Sequence, residues 1–217
     1  MTEDWAALLE SLSELGRGLV SAGLVLASGG NLSARQPGGG VIAVTARGAW
    51  LDRLAPADFT LVRLADGAVL GGSPDPSTEL ALHLQCHRAR PDAAAVVHVH
   101  PQTSVLLAAL GHPIRALTTD HQAYVGPVRV APYRHPGTPE LAVEAAALLA
   151  DGECDCVVLA HHGCSVVADS VEMAHRRVVN LEEAAKLTYA ALLLGDTDTV
   201  CPPGYRERLR GLTDRDH

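Results

Sequence analysis

Two short histidine motifs carry most of the chemistry available to this sequence. The first is Val97-His98-Val99-His100-Pro101. On a strand, residues i and i+2 share a face, so His98 and His100 stand side by side where an apolar strand ends and Pro101 turns the chain away. The second is His161-His162-Gly163, after the apolar run Val157-Val158-Leu159-Ala160. Alternation sends one of these two histidines to each side, so one of them can join His98 and His100. The glycine permits either a tight turn or a close approach by another group. Three imidazoles with an open fourth position make a catalytic metal site, whereas structural zinc is closed by four protein ligands. Taken singly, each motif also fits hydrogen-bonded polar residues at a strand end.

Glu79 in Pro76-Ser77-Thr78-Glu79-Leu80 opens a predicted helix, where the helix dipole favours a carboxylate. The Ser77 and Thr78 hydroxyls with the free N–H groups of that helix start form an anion-binding corner. In isolation this is also a plain helix cap. His83 and His87 follow Glu79 at i+4 and i+8, but HExxH spacing is absent, so they read as core or surface histidines. The loops Ser28-Gly29-Gly30-Asn31-Leu32-Ser33 and Thr45-Ala46-Arg47-Gly48 offer backbone and hydroxyl groups that cradle phosphate without lysine.

Composition narrows the field. Of 217 residues, 25 are acidic and 17 are Lys or Arg, for a net charge of -8. An acidic chain with scattered arginines predicts no nucleic-acid partner. Lys186 is the only lysine and follows no Gly-rich loop, so a Walker-type phosphate loop is absent. It lies mid-helix with Glu182 four residues earlier, a surface pairing, which is a poor setting for a Schiff base. No apolar run approaches the roughly 18 residues that span a bilayer, so no membrane partner is expected. The acidic start and the 5 cysteines without a framework spacing predict a cytoplasmic protein. Cys154 and Cys156 lack a second cysteine pair and read as structural.

The elements that must position these groups follow from periodicity. Helices are predicted over 3–26, 78–90, 101–110, 139–150 (capped by Thr138) and from an Asp169/Glu172 capping pair to about 194. Strands are predicted at 31–35, 41–45, 60–64, 68–70, 94–99, 156–161 and 164–168. Hairpin turns fall at Gly38-Gly39-Gly40 and Asp66-Gly67, and a second β region covers 114–131. Hairpins and helical crossovers together predict an α/β fold with a mixed sheet. The chain reads as one domain, 1–217, with a loosely packed tail over 195–217.

In this order, the stretches GGNLSAR (29–35), PSTE (76–79), RPDAAAVVHVHP (90–101), APYRHPGTPEL (131–141), HHG (161–163) and LEEAAK (181–186) resemble the class II aldolase/adducin family. The resemblance runs from the first helix to about Leu194. It implies a three-layer α/β/α fold with a largely antiparallel sheet, and a homotetramer with active sites between subunits. By position, His98, His100 and His162 look like the family's metal ligands. Glu79 looks like the acid/base that also approaches the metal. Asn31, Gly48, Ser77 and Thr78 look like the phosphate pocket. Two departures stand out. Arg47 replaces a hydroxyl in a loop that usually reads Thr-Pro-Thr-Gly; it can bind phosphate or carboxylate, or pair with an acid. The family's tyrosine acid from a neighbouring subunit has no clear match; Asp120 resembles the epimerases' acid there, with Tyr124 and Tyr205 as weaker candidates.

The resulting expectation is a lyase dependent on a divalent metal, zinc first and manganese, cobalt or iron next. It would cleave a small sugar phosphate or hydroxy-carbonyl compound by a retro-aldol reaction through an enediolate. The nearest alternative is decarboxylation of a 3-oxo sugar acid phosphate. Epimerisation, dehydration, metal-dependent hydrolysis and a non-catalytic adducin-like role follow behind it.

Overall fold

A computed structural model describes residues 3–36, 39–205 and 208. Its helices are α1 (Glu3–Ser21), α2 (Leu80–Ala89), α3 (Gln102–Ala109), α4 (Pro139–Leu149) and α5 (Val171–Leu193). Its strands are β1 (Asn31–Arg35), β2 (Val41–Thr45), β3 (Phe59–Arg63), β4 (Val69–Gly72), β5 (Ala95–Val99), β6 (Val128–Ala131), β7 (Cys156–Leu159) and β8 (Gly163–Ala168). All eight strands form one sheet in the order β4-β3-β2-β1-β5-β8-β7-β6. Every pairing is antiparallel except β6 with β7.

Side-chain alternation on the central strands sorts the helices into two layers. Leu32, Ala34, Ala95, Val97 and Val99 pack with Trp5, Leu9, Leu12, Val178 and Leu181, so α1 and α5 cover one face. Val96 and Val167 pack with Leu82, Cys86, Leu141 and Ala145, so α2 and α4 cover the other. This is a three-layer α/β/α arrangement. His98 follows the phase of Val96, and Asn31 and Ser33 oppose Leu32 and Ala34. The polar residues of β1 and β5 therefore face α2.

Several boundaries differ from the sequence reading for local reasons. Helix α1 ends at Ser21, not 26. Gly23 adopts a left-handed φ of 73°, and Leu24 N donates back to Leu19 O at 3.0 Å, a Schellman-type stop. Helix α2 begins at Leu80, with Glu79 in the cap position. The cap of α5 is Ser170, whose hydroxyl accepts from Met173 N, in place of Asp169; Glu172 pairs with Arg176 at 2.6 Å. Thr138 caps α4 as expected. In the supposed β region 114–131, only β6 is a strand. His121–Val125 is a π-helical turn closed by Gly126 N on His121 O, with the Thr118 hydroxyl accepting from His121 N.

At the hairpin between β1 and β2, Gly39 N donates to Gln36 O; Gly38 lies outside the described residues. In the tail, Arg115 donates to the Asp196 and Thr199 carbonyls, and Cys201 N donates to Ala116 O. Positions 206, 207 and 209–217 lie outside the described residues. Lys186 pairs with Glu183 at 2.7 Å, not with Glu182. Glu182 is buried instead, accepting from Thr103 N, Ser104 N and the Ser104 hydroxyl, so it caps the start of α3 just after His100.

Candidate active site

The site forms where β5 ends against the start of α2. His98, fully buried on β5, lies opposite Asn31 of β1 on one side and Ser165 of β8 on the other. His100 follows one residue beyond the strand. The chain between β7 and β8 then returns His162 to the same place. His161 takes a left-handed φ of 61° in this turn, a sparsely populated conformation for a non-glycine residue. Its exposed ring lies edge-on to Tyr133, with centroids 6.2 Å apart. The two adjacent histidines are thus separated by the turn, since β7 stops at Leu159, and not by strand alternation.

The three rings converge. Centroid separations are 5.0 Å for His98–His100, 4.8 Å for His98–His162 and 5.1 Å for His100–His162. Glu79 completes the cluster from the start of α2: its Oε2 lies 3.0 Å from His98 Nε2, and its Oε1 lies 3.4 Å from His162 Nε2. One nitrogen from each histidine and a Glu79 oxygen all lie within 4.8 Å of one another. The close fit explains Gly163. An added Cβ there would meet the His100 ring at 2.5 Å and the Val99 carbonyl oxygen at 2.6 Å. This glycine therefore serves close approach.

The electrostatics fit a divalent cation. Burial, then the neighbouring imidazoles, push His100 down to about 4, and burial and His98 do the same for His162. Both rings are therefore neutral near pH 7, as metal ligation requires. Burial opposes ionisation of Glu79, but hydrogen bonds from His98 and Asn31 help to outweigh it, and the carboxyl is held well below its usual range. Glu79 Oε1 is buried with no hydrogen bond, 3.4 Å from His162 Nε2. Neutral imidazoles with a carboxylate aimed among them suit zinc and its neighbours.

In front of the cluster lies a cleft of about 430 Å³. Asn31, Arg47, Gly48, Ser77, Thr78, Glu79, His100 and His162 all line it, so nearly every residue singled out in the sequence meets here. The Ser77 hydroxyl is buried and accepts from Glu79 N. Thr78 and Gly48 are exposed. Arg47 pairs with Asp75 through Nε at 3.1 Å while its side chain stays 60% exposed, so it remains at the rim. The Asn31 amide is already engaged, donating to Glu79 Oε2 at 3.0 Å, which leaves one N–H for a ligand. Asp120 is exposed and does not line this cleft. Sequence reasoning missed the far wall, Pro136 and Gly137. His83 and His87, read from the sequence as core or surface histidines, are buried, and with Ser33 they form a hydrogen-bonded chain to Asn31 behind Glu79 that the sequence reading did not foresee.

Comparison with known proteins agrees with this architecture. The chain is 33% identical over 188 residues to a 5-deoxy-D-ribulose 1-phosphate aldolase of Bacillus thuringiensis serovar kurstaki, covering 86% of each. It is 34% identical over 195 residues to a 3-oxo-tetronate 4-phosphate decarboxylase of Escherichia coli K12, covering 88% of each. Among solved structures, an L-fuculose 1-phosphate aldolase superposes with a TM-score of 0.86 at 29% identity, covering 97% of this chain and 98% of that one. The profile of the Class II Aldolase and Adducin N-terminal domain matches residues 10–189, and the chain belongs to the class II aldolase/adducin family.

Proposed function

We propose that this chain is a divalent-metal-dependent aldehyde-lyase that cleaves a small sugar phosphate or related hydroxy-carbonyl compound by a retro-aldol reaction. The observation that carries this reading is the convergence of His98, His100, His162 and Glu79, of which Glu79, His100 and His162 line the cleft. His98, His100 and His162 would hold a divalent ion, which when bound would supply Lewis-acid polarisation of a substrate carbonyl and stabilisation of the negative charge that develops as the adjacent C–C bond breaks. Zinc suits the donor set best, with manganese, cobalt and iron next.

Glu79 is ionised, so in the condensation direction it takes the proton from the carbon beside the carbonyl. By microscopic reversibility it returns that proton after cleavage. Ser77, Thr78, Gly48, Asn31 and Arg47 surround the remaining space and bind the phosphate through hydroxyls, backbone N–H groups and one guanidinium. Asp120 fits a proton donor reaching the cleft of a neighbouring subunit in a homotetramer. All five cysteines are free, in keeping with the reducing cytoplasm.

A second reading is favoured by Arg47 and by the similarity to the decarboxylase. Loss of CO₂ from a 3-oxo sugar acid phosphate develops the same negative charge, with Arg47 facing the acid. Assays of glycolaldehyde or dihydroxyacetone phosphate release against CO₂ release, over a panel of sugar phosphates and sugar acids with added Zn²⁺, Mn²⁺ or Co²⁺, separate the two. Retention of full activity by His98→Ala would overturn both.

A further inference from the structure

Behind Glu79 runs a buried chain of polar side chains that, beyond Asn31, takes no direct part in the chemistry proposed above. Asn31 Nδ2 donates to Glu79 Oε2 at 3.0 Å. Asn31 Oδ1 lies 2.6 Å from His83 Nε2. His83 Nδ1 lies 2.7 Å from Ser33 Oγ, and Ser33 Oγ lies 2.9 Å from His87 Nε2. His87 Nδ1 ends the chain, 3.3 Å from the Ala93 carbonyl. Ser33, His83 and His87 are at most 1% exposed. Burial of this kind favours neutral imidazoles, and both histidines are pushed down to about 3, by burial first.

The donor and acceptor roles then follow by elimination. Asn31 turns its NH₂ toward Glu79 and its Oδ1 toward His83. His83 Nε2 must therefore carry the ring proton, which leaves Nδ1 bare. The Ser33 hydroxyl donates to that Nδ1 and in turn accepts from His87 Nε2–H. Every donor points toward Glu79, an arrangement in which successive bonds polarise one another. The one mismatched contact is the longest, where a bare His87 Nδ1 faces the Ala93 carbonyl.

We propose that His83 is a positioning residue: held as the Nε2–H tautomer by Ser33, it fixes the orientation of the Asn31 amide and so aims Glu79 at the His98–His100–His162 cluster. The proposal rests on the metal-lyase reading only for its effect on rate; the tautomer itself is a property of the folded chain. Ser33→Ala removes the hydroxyl donor at little change in volume, so it frees His83 to adopt the other tautomer and Asn31 to flip. His83→Gln keeps an N–H toward Asn31 and acts as the conservative rescue.

Nitrogen NMR of ¹⁵N-histidine-labelled full-length protein reads the tautomer directly, with and without added Zn²⁺. His83 is expected as Nε2–H in the parent and as a mixture in Ser33→Ala. Ser33→Ala should lower zinc affinity or kcat by about 10–100-fold with KM little changed, while His83→Gln stays near the parent. An Nδ1–H tautomer at His83 in the parent protein overturns the proposal even if no variant folds. So does a folded Ser33→Ala with unchanged tautomer, zinc affinity and kcat. A protein with the expected tautomers but no lyase activity keeps this inference and removes the proposed reaction.

Discussion

Replacing Gly163 by alanine tests whether the histidine cluster is as tightly assembled as its geometry indicates. The new Cβ would lie 2.5 Å from His100 Cδ2, 2.6 Å from the Val99 carbonyl oxygen and 3.1 Å from His98 Cε1. Ordinary contact for such atoms begins near about 3.4 Å, so His100 and the end of β5 must yield by nearly an ångström. The carbonyl belongs to backbone paired into the sheet and cannot swing aside. Overpacking of this kind costs about 1–3 kcal/mol. In a chain of this size each kcal/mol lowers Tm by about 2–4 °C. The functional effect should be larger, because ligand atoms tolerate displacements of only about 0.2 Å. Gly163→Ala should therefore lower divalent-metal affinity by about 10–100-fold, read by competition with a chromogenic chelator. Gly71→Ala, where an added Cβ meets nothing within 4 Å, is the control. Parent-like metal affinity together with an unchanged melting temperature would refute the reasoning.

The other predictions concern charge. His83 and His87 sit at about 3 in the fold against an ordinary 6.5. Below pH 6.5 the unfolded chain binds protons that the folded chain refuses, so their contribution to stability is complete above pH 6.5 and falls as pH drops toward 3. The slope reaches about 1.4 kcal/mol per pH unit for each histidine, and urea unfolding at pH 7 and pH 5 should show the loss; equal midpoints would contradict it. Arg47→Ala should change stability by less than about 1 kcal/mol, since its ion pair with Asp75 is exposed. It should lower kcat/KM for a phosphorylated or acidic substrate by about tenfold or more; identical kcat/KM across the substrate panel would remove Arg47 from anion binding. Lys186→Met should keep full activity, and borohydride with substrate should trap no adduct, because Lys186 is exposed on α5 and paired with Glu183; covalent trapping would reinstate Schiff-base chemistry.

Strands β1 and β2 were legible to the residue because alternation and flanking turns bound them closely. Helix α1 was overextended because Leu24 and Val25 continue the apolar pattern past Gly23 and are buried without being helical. The π-turn at His121–Val125 has no local signature; its apolar residues mimic a strand, and packing against α5 decides its form. The His98/His100 pair follows from strand periodicity alone. The His83–Ser33 contact does not, because 50 residues separate the partners and only the packing of α2 on β1 joins them. Glu182 was misjudged although its phase was visible: with Val178, Leu181, Ala185 and Thr188 it lies on the buried stripe of α5, so it could not share the solvent face of Lys186.

The position of His98 has a further consequence. Its strand is the fifth of eight in the sheet order, hydrogen-bonded on both edges and buried at every residue. A ligand held in the most cooperative part of a fold is preorganised before any ion arrives, so binding costs little ordering of the chain. Metal-built modules that collapse on chelation behave in the opposite way. If the cluster holds an ion as proposed, the scaffold is expected to survive its removal, and exchange to proceed through the open cleft beside His100 and His162 without any strand having to peel away.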